Sequence, residues 1–209
     1  MLSGGTWLAV HRHGRFAAVT NQRALATPPP GLRSRGLIVK ELIAADDPRA
    51  YVEEIDPTRY ASMNLVWGDA RGASIAYVRQ EGALDILALP PGIHVLCNDK
   101  LGTAGFPRGD RLHAAITGAS GKGWPALVPD LQRALADHTR VPLAEVLPSH
   151  LPSELGRELT ATCIHSDHYG TRSSSIVALA PGRVIDYLHA DGPPCTSPWI
   201  DGRALLEAA

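Results

Sequence analysis

Thr6-Trp7-Leu8-Ala9-Val10-His11-Arg12-His13-Gly14-Arg15-Phe16-Ala17-Ala18-Val19-Thr20-Asn21 is the stretch on which the fold turns. Thr6–Val10 is a β-rich run. Arg15–Thr20 alternates, with Phe16, Ala18 and Thr20 on one face and Ala17 and Val19 on the other. Two such runs around a Gly-containing turn predict a hairpin, with Asn21 closing its second strand. The prolines of Thr27-Pro28-Pro29-Pro30-Gly31 then force a stiff loop that cannot pair in a sheet.

Outward from that hairpin, helices and strands separate into blocks. Ser34 is placed to cap a helix over Leu37–Ala45, where Ile38, Leu42 and Ala45 share a face. Asp47-Pro48 opens a second helix ending near Glu54. Met63–Asp69, Ser74–Arg79, Leu84–Leu89 and Ile93–Cys97 read as four strands. Helices are expected over Arg108–Thr117, Pro125–Asp137 and Leu143–Leu147, the second carrying Leu127, Leu131 and Leu135. Thr160–His165, Ser174–Ala180 and Arg183–His189 return to strand, with Pro181-Gly182 as a hairpin turn. The order is not strict βαβ alternation, so a doubly wound parallel sheet is disfavoured. It fits an α+β fold or a layered αββα sandwich, and no linker divides residues 1–209, which read as one domain.

Composition excludes several function classes. Lys+Arg is 20 and Asp+Glu 21, so no global field draws the chain to nucleic acid or an anionic membrane. Aromatics at 5% offer little base-stacking surface. No apolar run reaches the ~18 residues of a membrane span, and the first residues do not read as a signal peptide. Cys97, Cys163 and Cys195 are odd in number and widely spaced, which points to a reducing, cytoplasmic setting. Abundant Ala, Gly, Pro and Arg suggest a GC-rich bacterial genome.

Few residues announce chemistry. Gly118-Ala119-Ser120-Gly121-Lys122-Gly123 fails the phosphate-loop pattern: Ile116 stands where its first Gly belongs, and Gly123 replaces the Ser/Thr. It reads as a loop between helices. His11-Arg12-His13 and His165-Ser166-Asp167-His168 lack the spacing of a zincin, and no Cys pair completes a zinc site, so no metal is expected. Each Cys reads as a small buried hydrophobe. Asn21, Asn98 and Arg172 sit at strand ends or in adjoining loops, where a rigid scaffold presents groups to a ligand. Two amides and one guanidinium suit an anionic site or an oxyanion hole; turn capping is the commoner use of such Asn.

These segments also carry a resemblance. Gly4-Gly5-Thr6-Trp7-Leu8 and Gly14–Asn21 look like the start of the Transport and Golgi organisation 2 (NRDE) family. Ser34-Arg35-Gly36 resembles its SRG, and Asn64-Leu65 its Y-x-G-F-N-L, with Ser62-Met63 replacing Gly-Phe. Pro91–Asn98 resembles its P-G-x-H/Y-G-L-S-N, with Cys97 for Ser. Phe106-Pro107-Arg108 stands where the family has W-P-K, and Tyr169-Gly170-Thr171-Arg172 matches its Y-G-T-R. The family's opening Met-Cys-Thr and Asn-Arg-Asp-Glu are absent ahead of Gly4, through a misassigned start codon or a natural truncation.

The resemblance implies a four-layer αββα sandwich similar to N-terminal-nucleophile hydrolases, incomplete at its N-terminus. It implies cleavage of non-peptide amide C–N bonds by an N-terminal Cys whose α-amine is the base. By that analogy Asn21 and Asn98 serve the oxyanion or substrate and Arg172 the nucleophile region, each oxyanion donor being worth about 3–4 kcal/mol. The nucleophile is absent, so the chain as given is expected to be inactive. The partner is a small acyl or amide ligand, with no cofactor. The alternative is a non-enzymatic carrier of lipid, acyl-CoA or haem, with His94 or the His165/His168 pair as candidate iron ligands.

Overall fold

A computed structural model describes residues 4–167 and 169–207; His168 of the expected iron-ligand pair lies outside them. The opening hairpin forms as β1 (Leu8–His11) and β2 (Arg15–Asn21), and Leu8 faces Ala18 in antiparallel register. Gly14 takes φ +76 to close the turn, its N–H bonded to the His11 carbonyl at 2.9 Å. An added Cβ there would meet the Arg183 carbonyl at 2.7 Å.

Two helices follow. In α1 (Arg35–Ala44), Ile38, Val39 and Leu42 are buried; Ser34 precedes it without a side-chain cap bond. In α2 (Pro48–Glu53), Asp47 Oδ1 accepts from the Arg49 and Ala50 N–H groups, both at 3.0 Å. Three strands then complete an antiparallel sheet of order β1-β2-β3-β4-β5: β3 (Met63–Asp69), β4 (Gly72–Val78) and β5 (Leu84–Leu89).

The register sorts the side chains of this sheet. Ala17 faces Trp67, Val19 faces Leu65, and Leu65 faces Ala76, so they share one face. That face joins Ile38, Val39, Leu42, Val52 and Tyr60 in the hydrophobic core. Each fully buried aliphatic or Met side chain there contributes roughly 1.5–3 kcal/mol. The opposite face carries Thr20 and Asn64, directly opposed in the ladder, and Tyr77, the partner of Asn64 on β4.

The remaining helices are α3 (Pro107–Ala119), α4 (Val128–Leu135) and α5 (Ser153–Glu158). A second antiparallel sheet has β6 (Ser174–Ala180), β7 (Arg183–Ala190) and β8 (Ile200–Asp201) in that order. The architecture is α+β, and among the described residues no helix is long and apolar enough to cross a membrane.

Two expected strands do not form, and α5 and β8 form where the local pattern predicts no element. Ile93–Cys97 is irregular because side chains, not a neighbouring strand, satisfy its backbone: Thr20 Oγ1 donates to the Cys97 carbonyl at 3.1 Å. Thr160–His165 is mostly turn, with the Thr162 and Cys163 N–H groups both bonded to the Asp137 carbonyl. Only His165 reaches an isolated bridge, to Gly170. The helix expected over Leu143–Leu147 shrinks to a 3-10 turn at Leu143–Glu145.

Candidate functional site

Strand β2 ends where the 93–101 loop crosses the second face of the five-stranded sheet. Asn64, fully buried, is the post that holds this loop. Its Nδ2 donates to Thr20 Oγ1 at 3.0 Å and to the Asp99 carbonyl at 2.9 Å, and its Oδ1 accepts from Gln22 Nε2 at 2.7 Å. Tyr77 Oη accepts from the Leu101 N–H at 3.0 Å. With both its donor and acceptor ends used, Asn64 gives the loop a fixed seat.

This seat brings Asn21 and Asn98 together across 77 residues of chain: Asn98 Nδ2 donates to the Asn21 backbone carbonyl at 2.8 Å. The Arg23 N–H returns a bond to the Asn98 carbonyl at 2.6 Å. Arg108, in the first turn of α3, donates to Asn98 Oδ1 and, at 2.9 Å, to the Leu159 carbonyl. Gly109 lets α3 approach, since a Cβ there would lie 2.8 Å from Cys97 Sγ. Asn21 Oδ1 is buried without a hydrogen-bond partner among the described residues. A buried acceptor left unmade costs about 1–3 kcal/mol.

Arg35 belongs to the same corner. Its Nη1 lies 3.3 Å from the Ser62 carbonyl, which also accepts from the Gln22 N–H at 3.1 Å. Burial pulls the Arg35 pKa below its ordinary value, and a guanidinium stays charged regardless. Asp99 is the counter-charge, 3.8 Å from both Arg23 and Arg79. Two guanidiniums thus flank one carboxylate, and Arg108 bonds the neighbouring Asn98.

Arg172 is not part of it. The side chain is exposed and makes no hydrogen bond or ion pair with a described residue. The guanidinium that reaches Asn98 is that of Arg108. The function of that segment here is backbone support: Thr171 Oγ1 accepts from the Ile164 N–H at 2.9 Å. Arg35, Asn64 and Arg108 lie in the Ser34-Arg35-Gly36, Asn64-Leu65 and Phe106-Pro107-Arg108 segments, and the polar residue of each segment is its signal.

Two open clefts lie elsewhere. One, of about 340 Å³, is lined by Phe16, Leu42, Ile43 and Trp67 with Arg15 and Asp46. The other, of about 530 Å³, is lined by Pro30, Leu32, Arg33 and Arg59. Neither has a histidine in its lining. His94 Nε2 bonds the Pro90 carbonyl at 2.7 Å, and His165 Nε2 lies 3.1 Å from Cys195 Sγ.

The sulfur atoms are equally engaged. Burial, and then the neighbouring Cys195 thiol, push the Cys163 thiol up to about 11. Cys163, Cys195, His138 and His165 form one cluster, which spacing along the chain did not reveal.

Comparison with known proteins adds the lineage. A family model described as Transport and Golgi organisation 2 matches residues 1–189. A Bos taurus protein named Transport and Golgi organization protein 2 homolog is 29% identical over 197 residues, covering 87% of this chain and 70% of the bovine protein. The Homo sapiens homolog is 27% identical over 198 residues with the same coverages, and the Mus musculus homolog 25% identical over 187 residues.

Proposed function

Because the chain belongs to the Transport and Golgi organisation 2 family, we propose that it recognises a small anionic acyl amide at the Asn21–Asn98–Arg108 corner. The observation that carries this reading is that Asn21, whose buried Oδ1 has no hydrogen-bond partner among the described residues, takes a bond on its backbone carbonyl from the Asn98 amide, to which Arg108 also donates. An amide ligand has one N–H to give and one carbonyl oxygen to receive. Asn21 Oδ1 accepts the first; the second Nδ2 hydrogen of Asn98 and the Arg108 guanidinium serve the second. The surplus of Arg23, Arg35 and Arg79 over Asp99 favours a carboxylate on the same ligand.

The fold reading is an αββα sandwich of the N-terminal-nucleophile hydrolase type. Three features support it: α1 and α2 cover one face of the five-stranded sheet, α4 touches β6, and the Gly14 turn meets the β6–β7 turn. On that scaffold the natural reaction is hydrolysis of a non-peptide C–N bond, with Asn98 and Arg108 stabilising the oxyanion. Cys97, Cys163 and Cys195 are internal residues with no α-amine of their own, so none of them is the nucleophile of this reading.

Calorimetric titration with penicillin V, an acyl-homoserine lactone and a bile-salt amide tests this, with turnover followed in parallel. The expected result is saturable binding of at least one compound, weakened about tenfold or more by Asn98→Ala, an interaction of 1–3 kcal/mol. Arg172→Ala is expected to bind as the parent does. A folded chain that binds none of the three, or turnover lost on changing one Cys to Ala, overturns the reading.

A further inference from the structure

His138, Cys163, His165 and Cys195 place one ligand atom each within 4.8 Å of one another. They come from three separate segments: the turn after α4, the irregular stretch before His165, and the loop that leads to β8. The Cys163 and Cys195 sulfurs are 3.7 Å apart, and His165 Nε2 is 3.1 Å from the Cys195 sulfur. A tetrahedral ion with metal–sulfur bonds of about 2.3 Å sets its two sulfurs about 3.8 Å apart, while a disulfide needs about 2.05 Å. The observed spacing is the former.

The imidazoles are also prepared. His138 Nδ1 lies 2.9 Å from the Cys163 carbonyl, an oxygen that only accepts. Nδ1 therefore carries the proton, and the other ring nitrogen keeps its lone pair, the arrangement that metal-bound histidines adopt. The His138 and His165 rings meet at 5.1 Å between centroids.

We propose that these four residues form a closed, structural Cys2His2 site for a divalent zinc ion. Two thiolates and two neutral imidazoles suit a borderline-soft ion and neutralise its charge. All four positions come from protein, so no position stays open for a substrate. The site answers a need of the fold. Thr160–His165 pairs with no strand except at one bridge, and its backbone leans on Asp137. An ion bonded to His138, Cys163, His165 and Cys195 ties the end of α4, this stretch and the approach to β8 together, as zinc does where packing is thin.

The test uses the full chain purified reduced, without a histidine tag. Metal analysis is expected to find one zinc per chain. Cobalt(II) added after zinc removal is expected to give tetrahedral ligand-field bands and a thiolate-to-cobalt charge-transfer band, saturating at one equivalent. Cys195→Ser and His165→Asn should each raise the zinc Kd at least about 100-fold, since loss of even an outer-shell partner costs 10–100-fold. Cys97→Ser, the remaining thiol, should bind as the parent does. A reduced, folded parent chain that binds neither ion stoichiometrically overturns the proposal. So does a Cys163–Cys195 disulfide in freshly isolated protein, shown by a single free thiol. These readouts need no amide ligand, so failure here and failure of the amide reading are separate outcomes.

Discussion

Asn64 holds the candidate corner together although no ligand needs to touch it. It is fully buried, and its amide ties Gln22, Thr20 and the Asp99 carbonyl in one network. Asn64→Ala strands several buried partners at once, so a loss of about 2–4 kcal/mol is expected by urea unfolding. Asn98→Ala touches a half-buried group and should cost less stability while costing more binding. A second residue-scale network joins α1 to α2: Tyr51 Oη donates to Glu41 Oε2 at 2.5 Å, and Arg33 pairs with the same carboxylate. Burial first, and then Glu41, push the Tyr51 pKa well above its ordinary value near 10. The protonated phenol is favoured in the folded state, so its contribution is full below pH ~10 and is lost as pH rises through the folded value. Ultraviolet titration should show a tyrosine phase above the ordinary range, and Tyr51→Phe should remove that phase and about 1 kcal/mol of stability at neutral pH.

Elements are fitted to one another by close backbone approach, most tightly where the first residues cross the start of α1. The Thr6 N–H bonds the Gly36 carbonyl at 3.0 Å. A Cβ on Gly5 would stand 2.5 Å from the Gly36 carbonyl carbon, and one on Gly36 would stand 2.9 Å from the Thr6 nitrogen. Gly36→Ala gains up to ~1 kcal/mol of helix propensity and incurs about 1–3 kcal/mol of overpacking. Gly5→Ala meets the tighter contact without the helical gain. Thermal melts should therefore rank parent, Gly36→Ala and Gly5→Ala in falling order; a Gly5→Ala protein as stable as the parent would show this crossing to be soft. The elements readable from local pattern were those whose partners are local. The Arg15–Asn21 alternation, Asp47-Pro48 and the Pro181-Gly182 hairpin each formed as expected. Ile93–Cys97 has the same apolar look but meets Thr20 and Asn64 side chains instead of a strand, and no local signal carries that difference.

Across the whole molecule, burial is uneven. Ile38, Leu42, Met63, Leu65 and Val78 are fully buried in and around β3, β4 and α1, while α4 and α5 contain no buried residue. Hydrogen exchange should follow that gradient: amides of β3 and β4 open only with global unfolding, and those of α4 and α5 exchange at least about 100-fold faster. Uniform protection would mean that the second half is held by more than its apolar contacts. If zinc binds as proposed, its removal should raise exchange around residues 160–167 and leave β3 and β4 unchanged.

The lineage, the α+β class, the opening hairpin and the pairing of β6 with β7 are legible in the residues, because each rests on side-chain period, turn chemistry or motif order over short spans. The sequence also marks Asn21 and Asn98. Only tertiary structure put them in contact, set Arg108 rather than Arg172 beside them, and gathered His138, Cys163, His165 and Cys195 into one cluster. The physical reason is sequence separation. Asn98 reaches Asn21 across 77 residues, and Cys195 reaches Cys163 across 32. Such contacts depend on how α1, α3 and the two sheets pack as bodies, and packing leaves no periodic trace in the residues that it brings together.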